Sequence, residues 1–252
     1  MLEPTRSETT AREGFSRPLS FHESGVLLVD KPAGMTSMDV IRVIKRIARP
    51  KKIGHAGTLD PFATGLLPVL INSATRLSDR IMSGTKEYEG CFLLGMVFDT
   101  QDITGQQVGE TKELPLDLDL QKVQEAAKSF VGEIQQTPPI YSAIKKQGKP
   151  LYFYARNNID VEIQSRKVLI EDFQILKKEG DRRFYFSARV QKGTYIRTLI
   201  HDLGQALGVG GVLESLRRTR TSDFYLDEAV QLSTLKFASD IKSHLKTTEK
   251  RK

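Results

Sequence analysis

The residues that decide this fold are Gly54-His55-Ala56-Gly57-Thr58-Leu59-Asp60-Pro61-Phe62-Ala63-Thr64-Gly65-Leu66-Leu67-Pro68. They place one carboxylate, that of Asp60, among closely spaced glycines and two prolines. Glycine permits close approaches, while Pro61 fixes its own φ and favours an extended Asp60. The stretch therefore predicts a shaped loop presenting one acid, followed by an apolar run from Leu66 to Ile71. Taken alone, an Asp-Pro pair is typical of an ordinary turn, so any role for Asp60 depends on the rest of the chain.

The segments around this loop predict an α+β fold with a mixed, largely antiparallel sheet flanked by helices. Gly25 to Asp30 is typical of a buried strand, and Thr36 or Ser37 caps a helix that Pro50 stops. Lys86 to Phe98 is the most strand-like run in the chain. Further strands are predicted at 141–145, 161–176, 183–191 and near 224, and further helices at 74–82, 116–131, 150–155, 194–207, around 213–216 and up to about 245. These elements do not alternate strictly, which argues against a doubly wound fold.

The charge of the chain favours a polyanionic partner. The 252 residues carry a formal net charge of +7 with a pI near 9.4, which suits nucleic acid but also a membrane surface. Any one basic cluster is typical of a solvated surface, but several clusters beside special loops predict a surface that follows a phosphate backbone. The clusters are Lys45, Arg46, Arg49, Lys51 and Lys52; Lys145, Lys146 and Lys149; Arg166 and Lys167; Arg182 and Arg183; and Arg217, Arg218 and Arg220.

Targeting signals and cysteine usage indicate the cytoplasm. No apolar run has the length of a membrane span, and residues 1–20 lack the apolar middle of a secretory signal. The single cysteine, Cys91, lies in a strand-like run and suits a reducing compartment. We expect a flexible extension at 1–20, one domain at 21–245 and a charged tail at 246–252.

Several kinds of chemistry are excluded by their missing motifs. The sequence has neither a phosphate-binding Gly-Lys-Ser/Thr loop nor a Gly-x-Ser-x-Gly elbow, and its four histidines lack partners at metal-ligand spacing. The glycines at 208–211 follow a predicted helix, so they indicate a helix end rather than a dinucleotide loop. We therefore expect no cofactor and no metal.

Three further side chains have both a functional and an ordinary interpretation. Arg197, one turn into a predicted helix, is placed to pair with a carboxylate and keep it ionised, or it is simply exposed. Tyr88 is a sheet aromatic or a stacking platform for an unstacked base. Leu216 is by default a core residue of a short helix.

Five separated stretches, in order along the chain, add a family resemblance. They are Lys31-Pro32-Ala33-Gly34-Met35-Thr36-Ser37, Gly54 to Pro61, Lys86-Glu87-Tyr88, Tyr141-Ser142-Ala143-Ile144-Lys145 and Gly193-Thr194-Tyr195-Ile196-Arg197. Together they resemble the motifs of the bacterial TruB family, tRNA pseudouridine synthases that act at position 55 in the T arm. The resemblance runs from about residue 25 to residue 228. It implies a pseudouridine synthase fold with a central RNA-binding cleft.

The resemblance also implies roles for individual residues. The implied roles are Asp60 as the catalytic aspartate, Tyr88 stacking on the target base, Arg197 pairing with Asp60, Tyr195 lining the pocket, His55 holding the flipped-out RNA and Leu216 packing near the nucleotide. Two departures are visible in the sequence. The family often has Thr where this chain has Ala56, and the chain has too few residues after Leu226 for the RNA-binding PUA domain that bacterial relatives usually carry.

The expected partner is tRNA, through its T stem-loop, with no membrane and no obligatory protein partner, and with the protein a monomer. Two other functions stay open from the sequence. One is a non-catalytic module that binds RNA or helps tRNA fold, which needs a basic surface and an aromatic platform but no framed acid. The other keeps the chemistry and applies it to a different RNA.

Overall fold

A computed structural model describes residues 21–157 and 159–246. The predicted flexible extension at 1–20 and all but the first residue of the predicted charged tail lie outside the described residues. Within the described ranges, no helix is long and apolar enough to cross a membrane.

The described residues form six α-helices and thirteen strands. The helices are α1 (Ser37–Ala48), α2 (Ser78–Ser83), α3 (Leu120–Lys128), α4 (Leu151–Arg156), α5 (Ile196–Ala206) and α6 (Ala238–Ser243). The longer strands are β1 (Gly25–Lys31), β2 (Ile53–His55), β3 (Thr64–Ile71), β4 (Lys86–Leu94), β5 (Gly132–Gln136), β8 (Arg166–Glu179), β9 (Arg183–Val190) and β10 (Gly211–Thr221). The two-residue strands are β6 (Lys145–Lys146), β7 (Lys149–Pro150), β11 (Phe224–Tyr225), β12 (Val230–Gln231) and β13 (Leu245–Lys246).

Eleven of these strands form one mixed sheet. Eight of them follow the order β12-β1-β3-β10-β4-β9-β8-β5, and the other three pair with members of this row: β2 with β3, β11 with β10 and β13 with β1. Strands β6 and β7 pair separately. The β1–β12 and β3–β10 pairs are parallel, whereas the other pairs are antiparallel. The predicted α+β class with a mixed, largely antiparallel sheet is confirmed. Strand β10 lies between β3 and β4 and so connects the two halves of the sheet.

Helix α1 shows how local sequence produces an element that positions the site. Thr36 is its N-cap, and a capping box links Thr36 to Asp39 at the first turn. Val40, Ile41 and Ile44 are buried in the main core, which also contains residues of β1, β3, β4, β9 and α5. The predicted start of this helix is confirmed.

Three predicted elements differ in type or continuity, and strand β5 is absent from the sequence predictions. Residues 213–216 are not a helix but part of the central strand β10. The predicted strand at 141–145 is wrong, because residues 141–143 are bends and only Lys145–Lys146 pair in a short strand. The predicted helix at 74–82 is divided into a 3₁₀ turn, Asn72–Leu77, and α2, without a side-chain cap from Ser73.

Candidate active site

The loop that carries Asp60 connects β2 to β3 at one end of the central strands. His55 ends β2, and Thr64 begins β3. The backbone N–H of Ala63 donates to the carbonyl of Asp60 at 3.1 Å, so the chain turns directly after the acid. About a third of the Asp60 side-chain surface, 35%, stays exposed, so the carboxylate is accessible from outside the protein.

The predicted pairing of Arg197 with Asp60 is present. Arg197, the second residue of α5, is only 3% exposed. Its Nε donates to Asp60 Oδ2 at 2.9 Å, and its Nη2 lies 3.4 Å from Asp60 Oδ1. Two contacts between one guanidinium and one carboxylate fix the direction of both groups.

Arg197 is itself held from several sides. Its Nη1 donates to the Thr100 carbonyl at 2.7 Å, and its Nη2 donates to the Tyr141 carbonyl at 2.9 Å. Its Nε also lies 3.6 Å from a second carboxylate, that of the buried Asp102. Asp102 in turn accepts hydrogen bonds from Thr100 Oγ1 and from the backbone N–H of Thr104. The guanidinium therefore bridges two acids, one buried and one partly exposed.

The protein shifts the pKa of Asp60 in competing directions. Loss of hydration is the largest influence and raises the pKa of this carboxyl above its ordinary value, and the charge of Asp102 adds to that rise. The guanidinium of Arg197 and the ammonium of Lys31 oppose it. The net effect is a raised pKa for Asp60. One side of the carboxylate faces solvent, but protein surrounds its other sides and removes most of its hydration. Arg197 is thus the main group that favours the ionised form.

The loop between β1 and α1, together with the first residue of α1, binds the backbone on both sides of Asp60. The Ser37 hydroxyl accepts from the N–H of Leu59 at 2.9 Å and lies 3.1 Å from the Leu59 carbonyl, to which it donates. The backbone N–H of Gly34 donates to the Pro61 carbonyl at 2.8 Å. The loop that carries Asp60 is therefore fixed immediately before and immediately after its acid.

Lys31 supports the same loop from a fully buried position. Its ammonium donates to the carbonyls of Met35 at 2.6 Å, Pro32 at 2.8 Å and Pro61 at 3.2 Å. Burial lowers the pKa of Lys31 to about 8. No carboxylate among the described residues lies within ion-pair distance of Lys31, so its charge is stabilised mainly by carbonyl dipoles and by the more distant Asp60.

Arg218 joins the two ends of the loop that carries Asp60. It is 1% exposed, and it donates through Nη2 to the Gly57 carbonyl at 3.0 Å and through Nε to the Leu66 carbonyl at 2.8 Å. Gly65 pairs with Arg218 across β3 and β10 and has φ +98°, and a Cβ there would lie 2.8 Å from the Arg218 backbone nitrogen. This contact leaves no space for a side chain at position 65.

The burial of Arg218 corrects one of the predicted basic clusters. Arg218 is in the interior, Arg217 forms an ion pair with Asp30, and Arg220 forms one with Glu87. The cluster at 217–220 is therefore largely structural. In contrast, the five basic residues at 45–52 are exposed.

Strand pairing places two of the other predicted binding residues, Tyr88 and Leu216, close to Arg218 on the central strands. Tyr88 on β4 is directly opposite Arg218 on β10, and its half-buried ring packs against the main core. Leu216, two residues earlier on β10, is 7% exposed, and its carbonyl accepts from Thr64 Oγ1 at 3.4 Å. His55 is half-buried with an unpartnered Nδ1, and burial together with the charge of Arg218 lowers the pKa of its ring. Their proposed RNA contacts stay predictions.

Tyr195 immediately precedes α5 and is positioned by two polar side chains. The amide of Gln136, which is 1% exposed, accepts from the Tyr195 N–H at 2.7 Å and donates to its carbonyl at 3.1 Å. The guanidinium of Arg166 lies over the ring, with its carbon 5.3 Å from the ring centroid. Because Tyr195 and Arg197 are two residues apart, the same fold region fixes both.

A small cavity of about 300 Å³ adjoins this site. Its lining includes Tyr141, whose carbonyl accepts from Arg197, and Asp99, whose Oδ2 lies 3.5 Å from the Tyr141 hydroxyl. The larger open groove of about 820 Å³, between α3 and β8, shares no residue with the site.

Sequence reasoning missed five side chains that support the site. They are Lys31, Ser37, Asp102, Gln136 and Arg218. Lys31 and Ser37 belong to one of the motifs that carry the family resemblance, and that motif could have identified them as residues of the site. Arg218 stands in a basic cluster, a pattern that does not indicate burial, and no pattern in the sequence singles out Asp102 or Gln136.

Family models cover most of the chain. The model for the N-terminal domain of the TruB family of pseudouridylate synthases matches residues 45–196. The model for the tRNA pseudouridylate synthase B C-terminal domain matches residues 197–250. The boundary between the two matches falls within α5, and strand β10 of the second match lies in the middle of the sheet formed by the first.

Curated relatives cover a similar range. A tRNA pseudouridine synthase B of Azoarcus sp. (strain BH72) is 44% identical over 84% of this chain and 69% of the relative. A tRNA pseudouridine synthase B of Chlamydia muridarum (strain MoPn / Nigg) is 47% identical over 82% of this chain and 84% of the relative.

Solved structures share the fold over most of this chain. The crystal structure of a Cbf5-Nop10-Gar1 complex includes a chain that is 34% identical, with a TM-score of 0.64. The structure of an H/ACA RNP bound to a substrate RNA containing 2'-deoxyuridine includes one that is 32% identical, with a TM-score of 0.60. Each match covers 83% of this chain, which spans about half the length of those solved chains, 52% and 51%.

Proposed function

Because the chain belongs to the TruB family of pseudouridylate synthases, we propose that it isomerises uridine to pseudouridine at position 55 in the T arm of tRNA. The observation that carries this proposal is the partly exposed Asp60 carboxylate held by the buried Arg197 guanidinium. A carboxylate that is oriented, accessible and paired with a fixed cation is what a reaction at a single nucleotide requires.

The reaction rearranges bonds within one nucleotide. The N-glycosidic bond of the uracil breaks, the base turns, and a carbon–carbon bond forms to the same ribose. The hydrogen on the uracil carbon that becomes attached leaves as a proton, and the uracil nitrogen released from the ribose gains one, so the atoms balance. Asp60 acts as a nucleophile or as a base towards the ribose or the uracil, and Arg197 holds it ionised and directed.

The nucleotide has to leave its stack to reach Asp60. Extrusion of a base costs a few kcal/mol, and stacking on an aromatic ring returns about 1–3 kcal/mol per base. In this proposal Tyr88 provides the stacking surface, Tyr195 and Leu216 line the pocket, and His55 helps to hold the flipped-out RNA. Tyr88 and Leu216 lie on the paired strands β4 and β10 beside Arg218, and Tyr195 lies two residues before Arg197, which supports the assignment.

The exposed basic segment at the end of α1 is the proposed track for the RNA backbone. Its five exposed cations are Lys45, Arg46, Arg49, Lys51 and Lys52. Helix α1 begins at Ser37, which contacts the loop that carries Asp60. A phosphate backbone lying along this helix is therefore connected through one rigid element to the catalytic loop.

We also propose that residues 21–245 act as one catalytic domain, that the protein is a cytoplasmic monomer, and that tRNA is its partner without an obligatory protein. The single sheet of eleven strands, which includes both β1 and β13, supports a single domain. The single cysteine, which is buried on β4, suits a reducing compartment.

The direct test replaces Asp60 with Asn, which keeps the size of the side chain and removes its charge. We expect Asp60→Asn to abolish pseudouridine formation in a T-arm RNA while RNA binding persists, because Asn neither attacks nor accepts a proton effectively. The matched control is Asp227→Asn, which removes the same charge from an exposed position and should keep full turnover. A folded Asp60→Asn protein with more than a trace of turnover would remove Asp60 from the catalytic role.

A second experiment separates the RNA substrates. Mapping pseudouridines in the RNA of a strain that lacks this protein should reveal loss at position 55 of tRNA. Loss confined to another RNA would redirect the substrate assignment, and an unchanged map together with RNA binding would favour the non-catalytic module.

A further inference from the structure

We propose that Ser37 is a positioning residue for Asp60, acting through the backbone of Leu59. The Ser37 side chain is 2% exposed, and its hydroxyl makes no hydrogen bond to the Asp60 carboxylate. Its hydroxyl instead makes both a donated and an accepted hydrogen bond with Leu59, at 3.1 and 2.9 Å. Leu59 directly precedes Asp60 and lies 22 residues from Ser37 in the sequence.

This pair of hydrogen bonds fixes a part of the loop that the other supports do not bind. Arg218 binds Gly57, and Lys31 and Gly34 bind Pro61. Between those two points, Ser37 satisfies both backbone groups of Leu59. The direction in which the Asp60 side chain leaves the backbone depends on the peptide that Leu59 and Asp60 share.

Arg197 cannot replace this support. It binds the carboxylate end of Asp60, and the side chain has two rotatable bonds between that end and the backbone. A backbone shift at Leu59 is therefore transmitted to the carboxylate as a new distance or angle. Misplacement of a reacting group by about 1 Å is enough to cost about a hundredfold in rate.

Ser37 also has an ordinary structural role, because it is the first residue of α1. The experiment has to separate the two roles. Thr36→Ala supplies the control, since Thr36 caps the same helix through Asp39 and is exposed. That variant weakens the start of α1 without removing either bond to Leu59.

The inference rests on the proposed function for its kinetic test, which compares Ser37→Val with Ser37→Thr in the full chain. The two side chains are nearly equal in volume, but only Thr retains a hydroxyl. Measured under single turnover on a T-arm RNA, we expect Ser37→Val to slow the chemical step at least about tenfold with an unchanged RNA affinity. Ser37→Thr should keep most of the wild-type rate, and so should Thr36→Ala.

Amide hydrogen exchange provides a second measurement that needs no activity. Protection of the Leu59 amide should fall in Ser37→Val and persist in Ser37→Thr and Thr36→Ala, as judged against wild type. A wild-type protein that forms no pseudouridine would overturn the proposed function while leaving this exchange comparison intact.

Equal rates for Ser37→Val and Ser37→Thr would overturn the positioning role, as would an equal loss of rate in Thr36→Ala. Unchanged Leu59 protection in Ser37→Val would overturn it independently.

Discussion

Asp202 on α5 is expected to destabilise the folded protein at neutral pH, and its replacement by Asn should therefore be stabilising. The side chain is half-buried, and among the described residues it has neither a hydrogen bond nor an ion-pair partner. Loss of hydration alone raises the pKa of Asp202 from 3.8 to about 6. The folded state thus disfavours the ionised form.

The size and sign of the effect follow from this pKa. At about 1.4 kcal/mol for each pH unit, the rise from 3.8 to about 6 corresponds to about 3 kcal/mol. Below pH 3.8 Asp202 is neutral in both the folded and the unfolded protein, so it does not reduce the stability of the fold. As the pH rises from 3.8 through 6, the unfolded protein releases this proton more readily than the folded protein, and stability is lost. Allowing for the part of the side chain that still contacts water, we expect Asp202→Asn to gain about 1–3 kcal/mol at pH 7.

Urea unfolding of Asp202→Asn and wild type at pH 7 and at about pH 4 measures this gain. The difference between the two proteins should shrink steadily below pH 6, which separates the charge effect from any constant difference between Asn and Asp. Asp181→Asn is the control, because Asp181 is exposed in the turn between β8 and β9 and its loss should change stability by less than about 0.5 kcal/mol. A gain that is absent at pH 7, or that is equally large at pH 4, would refute the reasoning.

Three further predictions concern the site and its RNA. Gly65→Ala should destabilise the protein by about 2 kcal/mol or more in urea unfolding, because φ at Gly65 is +98° and an added Cβ would meet the backbone of Arg218. Gly180→Ala is the control: φ at Gly180 is +60° but no atom lies near the added Cβ, so this variant should lose less stability. Tyr88→Leu should lose about 5- to 150-fold in turnover while Tyr88→Phe stays near wild type, if stacking is what matters, and equal severe losses would implicate the phenol hydroxyl instead. RNA affinity, measured by filter binding, should fall more than about tenfold between about 50 and 200 mM salt, and a flat response would contradict the basic track along α1.

Short stretches of sequence were sufficient to predict those elements whose structure is determined by their own residues. The strand at 25–31 and helix α1 were predictable because an apolar run, a capping Thr36 and the terminating Pro50 lie within a few residues of each other. The loop around Asp60 was recognisable for the same reason, since its glycines and prolines restrict the backbone directly.

Leu213 and Leu216 show why the central strand was mistaken for a helix. In a regular strand, residues three apart face opposite sides, whereas in a helix they share a face. Strand β10 has a bulge between Leu213 and Ser215, which shifts the alternation so that both leucines are buried in one core. The spacing of two apolar residues cannot distinguish these cases, because the bulge is specified by pairing with the distant strand β4.

The supports of the site depend even more on distant partners. Asp102 and Arg218 gain their positions from Arg197 and from the carbonyls of Gly57 and Leu66, which are far away in sequence. The predicted strand at 141–145 failed for a related reason. The Tyr141 carbonyl accepts from Arg197, so it is not free for a ladder of strand hydrogen bonds. Such contacts exist only in the assembled fold, so the Asp60–Arg197 pair was predictable through the family resemblance and its surroundings were not.

The central place of β10 has a consequence for how the protein is made. While the ribosome is still producing residues 211–221, the edges of β3 and β4 that flank this strand have no neighbour to pair with. From the completion of β4 at residue 94 until β10 is made, the nascent chain therefore carries two open sheet edges and no finished active site. Such a protein is expected to complete its folding only late, and to rely on chaperones when translation pauses shortly before that strand.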